Sequence, residues 1–166
     1  MKIQYIMKNN IIAIAYFDDK KIKGTIYFYE TKNNTILIDI DLKGFKKYSI
    51  HGIHIHEAGD LTEQCMGSCA HFNPTNKNHG GIHSKIRHVG DLGNISADND
   101  GNINTTIEDN IIKLRGQKFN IIGRSVVIHE DADDNGLGGH NDSLTTGHSG
   151  KRLCCAVIGY SKKMFQ

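Results

Sequence analysis

From Ile36 to Leu42 every second side chain is apolar, and Asp39 and Asp41 fall between them. That period-two alternation belongs to a strand with one buried face and excludes an amphipathic helix. The runs at 11–19, 21–30, 35–44 and 47–57 are likewise short and rich in Ile, Tyr and Phe. Turn-forming clusters at 18–21, 32–34 and 43–44 separate them. Helical periodicity is absent. An all-β domain built from hairpins, a sandwich or a barrel, is the expected outcome. From residue 57 to about 94 the pattern dissolves into a long loop rich in Gly, His, Asn and Cys. Strands resume at 101–110, 111–116 and 120–130, a second Gly-rich loop covers 131–151, and 152–160 forms a last strand. Loops of this length inside a small domain usually carry function.

A chain of 166 residues and 18.5 kDa is read as one domain over 1–166, with residues 1–10 joining the first strand region. The net charge of +2 gives no general pull toward nucleic acid or anionic membranes. No stretch approaches the roughly 18 apolar residues of a membrane span, and the N-terminal residues alternate without an apolar signal core. The expectation is a soluble, cytoplasmic protein. There, Cys65, Cys69, Cys154 and Cys155 are by default reduced thiols or metal ligands.

Ten histidines are many for this length. His54 and His56, at i and i+2 of a strand, point to one face roughly 6.5 Å apart and can chelate one ion. Such a pair occurs by chance about 0.6 times in a chain of this composition, so its context decides. The context is dense: His71, His79, His83 and His88 lie in the first loop, with Asp91 three residues on. His129 ends the apolar strand SVVIHE and precedes Asp131, Asp133 and Asp134. Imidazoles suit copper and zinc, and a carboxylate added to three imidazoles suits tetrahedral zinc. His51, His83, His140 and His148 are read as loop decoration.

The segments HGIHIHEAGD, HFNP, HGG, RHVGDLGN, GRSVVIHEDADD and GHSGKRLCCAVIGY resemble, in order, the signatures of copper/zinc superoxide dismutases. The resemblance spans about residues 20–160. It implies a Greek-key β-sandwich or flattened barrel of about eight antiparallel strands with two long functional loops. It also implies an antioxidant oxidoreductase with copper and zinc cofactors that converts superoxide anion to oxygen and hydrogen peroxide.

Carried over residue by residue, His54, His56, His71 and His129 match the copper ligands. His71, His79, His88 and Asp91 match the zinc ligands, so His71 bridges the two. Asp133 matches the carboxylate joining His54 to His79, and Arg152 matches the arginine that meets the incoming anion. Arg152 also has the plainer reading of a tie between loop carbonyls. Cys65 and Cys155 match the family's disulfide. Strand alternation then turns Cys154 toward the core as a free thiol, and Cys69 is read as a bystander.

Where the family often has a lysine near the end of the second loop, Thr145 stands here. A homodimer is implied through Gly59, Ile122, Gly123, Val157, Ile158 and Gly159, with Ala58 and Tyr160 departing from the usual residues; a copper chaperone is a further implied partner. Two rivals are a metal-capturing or docking relative on the same scaffold and a simple metal buffer. The first would lack a copper ligand or the arginine, and the second would need neither Asp133 nor a strand-end His129.

Overall fold

The computed structural model describes residues 11–166. The expectation that residues 1–10 join the first strand region lies outside the described residues. Among the described residues nine strands follow in chain order: β1 Ile11–Asp18, β2 Lys23–Glu30, β3 Ile36–Lys43, β4 Ile50–His56, β5 Thr62–Cys65, β6 Asp91–Ser96, β7 Asn102–Asp109, β8 Ser125–His129 and β9 Arg152–Tyr160. A 3-10 turn spans Met66–Ser68, and the single-turn helix α1 spans Ser143–Thr146.

Eight strands form one antiparallel ladder in the order β6-β4-β8-β9-β1-β2-β3-β7, with β5 outside it. β4 follows β3 in sequence yet lies on the far side of the ladder, which is the crossover of a Greek key. The two end strands, β6 and β7, are joined by a tight turn in which Asp98 N donates to Asn102 O at 2.8 Å. The ends of the ladder therefore approach one another, and the sheet is a nearly closed barrel.

The interior follows from alternation. On β3, Ile36, Ile38, Ile40 and Leu42 are buried while Asp41 and Lys43 face water. They meet Ile26, Phe28, Ile53, Ile55, Val126, Ile128 and Ile158 in one core. β4 is an exception, being buried on both faces from His51 to His56. Ile53 and Ile55 point into the barrel, so the side chains between them, His54 and His56, lie on its outer wall beneath the long loops.

Besides β5, which falls within the expected loop, two segments differ from the sequence expectation. Residues 111–116 are not a strand. Asp109 Oδ1 accepts from Ile111 N (2.7 Å) and Ile112 N (2.8 Å), turning the chain so that Ile112 and Leu114 enter the core. Apolar alternation reports burial of one face, whether or not the backbone joins a ladder. Conversely, the first loop ends earlier than expected, because β6 begins at Asp91. Its buried Leu92 and Ile95 stand three apart, out of strand period, and the β4–β6 register shifts between Gly52 and His54. A bulge of this kind hides a strand from its period.

Candidate metal centre

The first loop folds back onto β4 through backbone bonds: Phe72 N to Ile55 O (2.9 Å), Ile55 N to Gly90 O (2.8 Å) and Gly90 N to Phe72 O (3.0 Å). A Cβ at residue 90 would run into the Ile55 carbonyl, so only glycine permits this approach. The packing brings His71, His88 and Asp91 beside the outward histidines of β4. β8 lies on the other side, with Val127 opposite His54, and carries His129 at its end.

His54, His56, His71 and His129 are all buried, and each offers a ring nitrogen within 4.8 Å of the others'. Three of them commit the opposite nitrogen to a fixed partner. His56 Nδ1 lies 2.9 Å from Cys69 O, His129 Nδ1 3.2 Å from Gly150 O, and His54 Nε2 2.7 Å from Asp133 Oδ2. Such outer partners set tautomer and ring orientation in metal-binding histidines. The nitrogens left over face one another, His56 Nε2 lying 3.4 Å from His129 Nε2.

A second group gathers on Asp91. Its Oδ1 lies 3.0 Å from His71 Nδ1, 3.0 Å from His79 Nδ1 and 3.1 Å from His88 Nδ1, and the His71 and His88 nitrogens are 3.4 Å apart. Four atoms held tetrahedrally at about 2.0–2.1 Å from a common zinc ion would be about 3.3 Å apart. The observed edges scatter about that value. His54 also has a nitrogen within 4.8 Å of His71, His79 and Asp91, as expected where two donor groups adjoin. Among the described residues, His54 Nδ1, His71 Nε2 and His79 Nδ1 are buried nitrogens without a hydrogen-bond partner. Buried polar atoms are seldom left so. His71 contributes one nitrogen to each group, and these three histidine nitrogens are those that would face an ion, whereas Arg87 Nε, also buried and unpartnered, belongs to neither group.

Electrostatics agree with the first donor set, and His79 of the second departs from it. Burial holds His54 and His56 well below the ordinary imidazole range, lowers His71, and lowers His129 to about 4. The neutral ring, the form that binds metal, is therefore favoured. Burial opposes charge on Asp91, but the rings of His71, His79 and His88 gathered on it hold its carboxyl well below the usual range. For His79 burial again opposes charge, yet its hydrogen bond to Asp133 and the Asp91 carboxylate 3.0 Å from its Nδ1 raise it to about 9. Asp133 spans the two groups, with His54 Nε2 at 2.7 Å and His79 Nε2 at 2.8 Å. The second loop seals this contact with Gly147 at φ +66°, where a Cβ would collide with the Asp133 carboxylate and the His79 ring.

Arg152, partly buried, lines the same cavity as His56, His71 and His129. Its Nη1 donates to Cys65 O (2.6 Å), Met66 O (3.3 Å) and Ser68 Oγ (3.1 Å), and its Nη2 to Cys69 O (2.5 Å). The tie between loop carbonyls is thus present, and the charge still faces the cavity. Cys65 and Cys155 form a disulfide with a Cα–Cα distance of 5.6 Å. Cys154 is buried, and burial raises its thiol to about 12; Cys69 is exposed.

Of the four histidines read as decoration, His83 is exposed, and His140 and His148 stack on each other at 3.7 Å. His51 differs: it is buried on β4, with Nδ1 2.7 Å from His129 O and Nε2 2.7 Å from Ser49 Oγ. Sequence reasoning also missed Asn94, which donates to Asp133 O at 2.8 Å and accepts from Asp133 N at 2.7 Å. Nor did it find Arg87, buried in contact with Asp109 and with the Asp91 carbonyl. These residues act on backbone or across long sequence separations, and nothing in their local spacing signals it.

Comparison with known proteins gives a family-model match over residues 22–158, described as copper/zinc superoxide dismutase (SODC). The chain is 56% identical over 155 residues to a superoxide dismutase [Cu-Zn] of Paramecium bursaria Chlorella virus 1, covering 93% of this chain and 81% of that one. It is 46% identical over 156 residues to an extracellular superoxide dismutase [Cu-Zn] of Drosophila melanogaster, covering 90% and 85%. A superoxide dismutase [Cu-Zn] of Yarrowia lipolytica is 44% identical over 142 residues, covering 85% and 92%. Among solved structures, the clock protein EA4 superposes with a TM-score of 0.87 at 38% identity, over 92% of this chain and 96% of that one.

Proposed function

Because this chain belongs to the copper/zinc superoxide dismutase family, we propose that His54, His56, His71 and His129 hold its copper and that His71, His79, His88 and Asp91 hold its zinc. The reaction of the family is the dismutation of superoxide to oxygen and hydrogen peroxide. When bound, copper supplies the one-electron redox chemistry, which zinc, lacking a second accessible oxidation state, does not.

The remaining work falls to the chain. His71, with Nδ1 beside Asp91 and Nε2 free of any hydrogen bond, can hold a proton at Nε2 while Nδ1 keeps the ring in place. Asp133 fixes His54 and His79 together, so the two donor sets share one rigid frame. Arg152 holds the loop whose Cys69 carbonyl orients His56, and it supplies a permanent positive charge for a small anion. The observation that carries this assignment is the trio of orphaned buried nitrogens between two donor groups that share His71.

The test is dismutation by metal-free protein before and after loading with copper and zinc. A copper-dependent rate toward the family's diffusional ceiling of about 10⁹ M⁻¹s⁻¹ supports it. Metal uptake without dismutation would overturn it in favour of a metal-binding relative.

The finer reading is a cytoplasmic homodimer loaded by a copper chaperone, within one domain over 1–166. Exposed, unpaired Cys69 suits a reducing compartment, although the disulfide and the extracellular relative point the other way. For the dimer, Val157 presents an exposed apolar side chain and Gly59 packs against Gly123 beside it. Ile158 is fully buried within the subunit, so only its backbone is offered there. Sedimentation of the metal-loaded protein tests the dimer, fractionation of producing cells tests the compartment, and copper loading with and without added chaperone tests the last partner.

A further inference from the structure

His54 combines two features of a metal-binding ring. Asp133 Oδ2 fixes its Nε2 at 2.7 Å, and its ring stacks on that of His71, with centroids 3.9 Å apart and planes 29° apart. The two rings still offer nitrogens within 4.8 Å of one another to a single donor group. Stacking therefore does not prevent two imidazoles from converging on one ion.

The same arrangement recurs on the second loop, outside both donor groups. Asp142 Oδ1 lies 2.7 Å from His148 Nδ1, and the His148 ring stacks on His140, with centroids 3.7 Å apart and planes 12° apart. A carboxylate on Nδ1 places the proton there and leaves the lone pair of the neutral ring on Nε2. The hydrogen bond from His148 in turn holds the Asp142 carboxyl below the usual carboxylate range. Among the described residues, His148 Nε2 and both ring nitrogens of His140 have no hydrogen-bond partner. Both rings are exposed, so a dissolved ion reaches them.

The backbone beneath the pair is fixed without any ion. His140 N donates to Ser143 Oγ at 2.9 Å, and His140 O accepts from Ser143 N at 3.1 Å. Asp142 Oδ2 accepts from Thr146 Oγ1 at 2.9 Å, and Asp142 O from Thr145 N at 3.0 Å and Thr146 N at 2.8 Å. Helix α1 thus folds the loop so that two histidines distant in sequence meet. The Asp142–His148 bond would tie the loop by itself, and His140 adds a donor that such a tie does not need.

We propose that His148 Nε2 and a ring nitrogen of His140 form a third metal site for a divalent cation that favours imidazole, with Asp142 as outer partner and water completing the coordination. The ring of His140, free of hydrogen bonds, has only to open toward the angle seen between His54 and His71. These residues belong to neither donor group described above, so the proposal does not depend on which ion each of those holds. Asp142, Thr145 and Thr146 also line the cavity over His56, His71 and His129, which puts the site at its rim.

The experiment titrates protein already loaded with copper and zinc with further Cu²⁺ and, separately, Zn²⁺. Equilibrium dialysis reads the bound metal, electron paramagnetic resonance reads the environment of the added Cu²⁺, and the first two ions are assayed on every variant. The parent should take up about one further ion per chain, Cu²⁺ more tightly than Zn²⁺, and the added Cu²⁺ should show nitrogen coupling. His140→Ala and His148→Ala should each abolish that uptake, and Asp142→Asn should weaken it about 10–100-fold. His83→Ala, which removes an exposed histidine of the first loop, should leave it unchanged. A parent that takes up no further ion would overturn the proposal, and so would uptake undiminished in the His140→Ala/His148→Ala double variant. An equal loss in His83→Ala would also overturn it, by assigning the uptake to surface histidines in general.

Discussion

His129 ends β8, and its two ring nitrogens do separate jobs: Nδ1 is fixed by the Gly150 carbonyl, while Nε2 faces His56 Nε2. His129→Ala removes one of four copper-side nitrogens and leaves the four donors around Asp91 intact. Dismutation should fall to background while zinc stays at one per chain and the fold persists; activity that survives the change would sink the copper assignment. Asp133→Asn tests the bridge. The carboxylate accepts from both His54 and His79, and Oδ1 also accepts from Asn135 N at 2.7 Å. An amide keeps one carbonyl oxygen and turns an N–H₂ toward one ring N–H. The other copper-side histidines keep their own anchors, so zinc should suffer more than copper, by about 10–100-fold in affinity. Competition with a zinc chelator reads it, and unchanged zinc affinity would count against the bridge. That histidines cluster was legible in the sequence from residue type and spacing, whereas the choice of candidate ligands among them came from family resemblance. Asn94 and Arg87 were not legible, because a side chain that grips distant backbone can stand at almost any spacing.

The first loop is pinned to the barrel by two fasteners that meet on β9: the Cys65–Cys155 disulfide and the Arg152 guanidinium. Alternation along β9 explains the choice of cysteine. Cys154 turns into the core beside Ala156 and Ile158, and Cys155 turns outward to the loop. The pairing itself came from family resemblance, since spacing alone does not choose among four cysteines. The bridge closes a sequence separation of 90 residues, and loop-closure entropy assigns such a crosslink about 4–5 kcal/mol. Replacing both cysteines by serine should lower stability by up to that amount in urea denaturation. It should also reduce activity, because the loop that orients His56 then keeps only Arg152 of its two ties to β9. A double variant with an unchanged urea midpoint would show that the loop is held by other contacts. At this scale the hairpins β1–β3 were readable from period and turn residues. β6 escaped because its bulge puts Leu92 and Ile95 out of period, and 111–116 misled because a buried plug alternates just as a strand does.

Closure of the barrel was the least legible feature, since it depends on which distant strands pair, as β3 with β7 and β1 with β9, and no local pattern encodes that. Its consequence is a domain that buries several imidazoles against one wall in their neutral form. Unfolding returns each to an ordinary pKa of about 6.5. For His129, lowered by burial to about 4, the unfolded chain binds more protons than the native one between those values. Its contribution to stability is therefore whole above pH 6.5 and is lost as pH falls toward 4, at about 1.4 kcal/mol per pH unit. His54, His56 and His71, lowered chiefly by burial, act in the same direction. His79 acts oppositely. Burial disfavours its charge, but Asp133 and Asp91 raise it to about 9, so its contribution is whole below 6.5 and lost as pH rises through 9. Asp91 and Asp133 keep their stabilising charge until pH falls below about 4, the ordinary range of an unfolded Asp. The metal-free protein should accordingly be most stable near pH 6.5 and weaken on both sides, more steeply toward acid, where several histidines act together. Bound metal stabilises only the native chain and competes with protons for the same nitrogens. Urea midpoints at pH 4.5, 6.5 and 8.5 should therefore trace a dome for metal-free protein and a higher, flatter line for the loaded form. A metal-free protein as stable at pH 4.5 as at 6.5 would mean that the native histidines already carry protons, and the neutral donor wall would have to be abandoned.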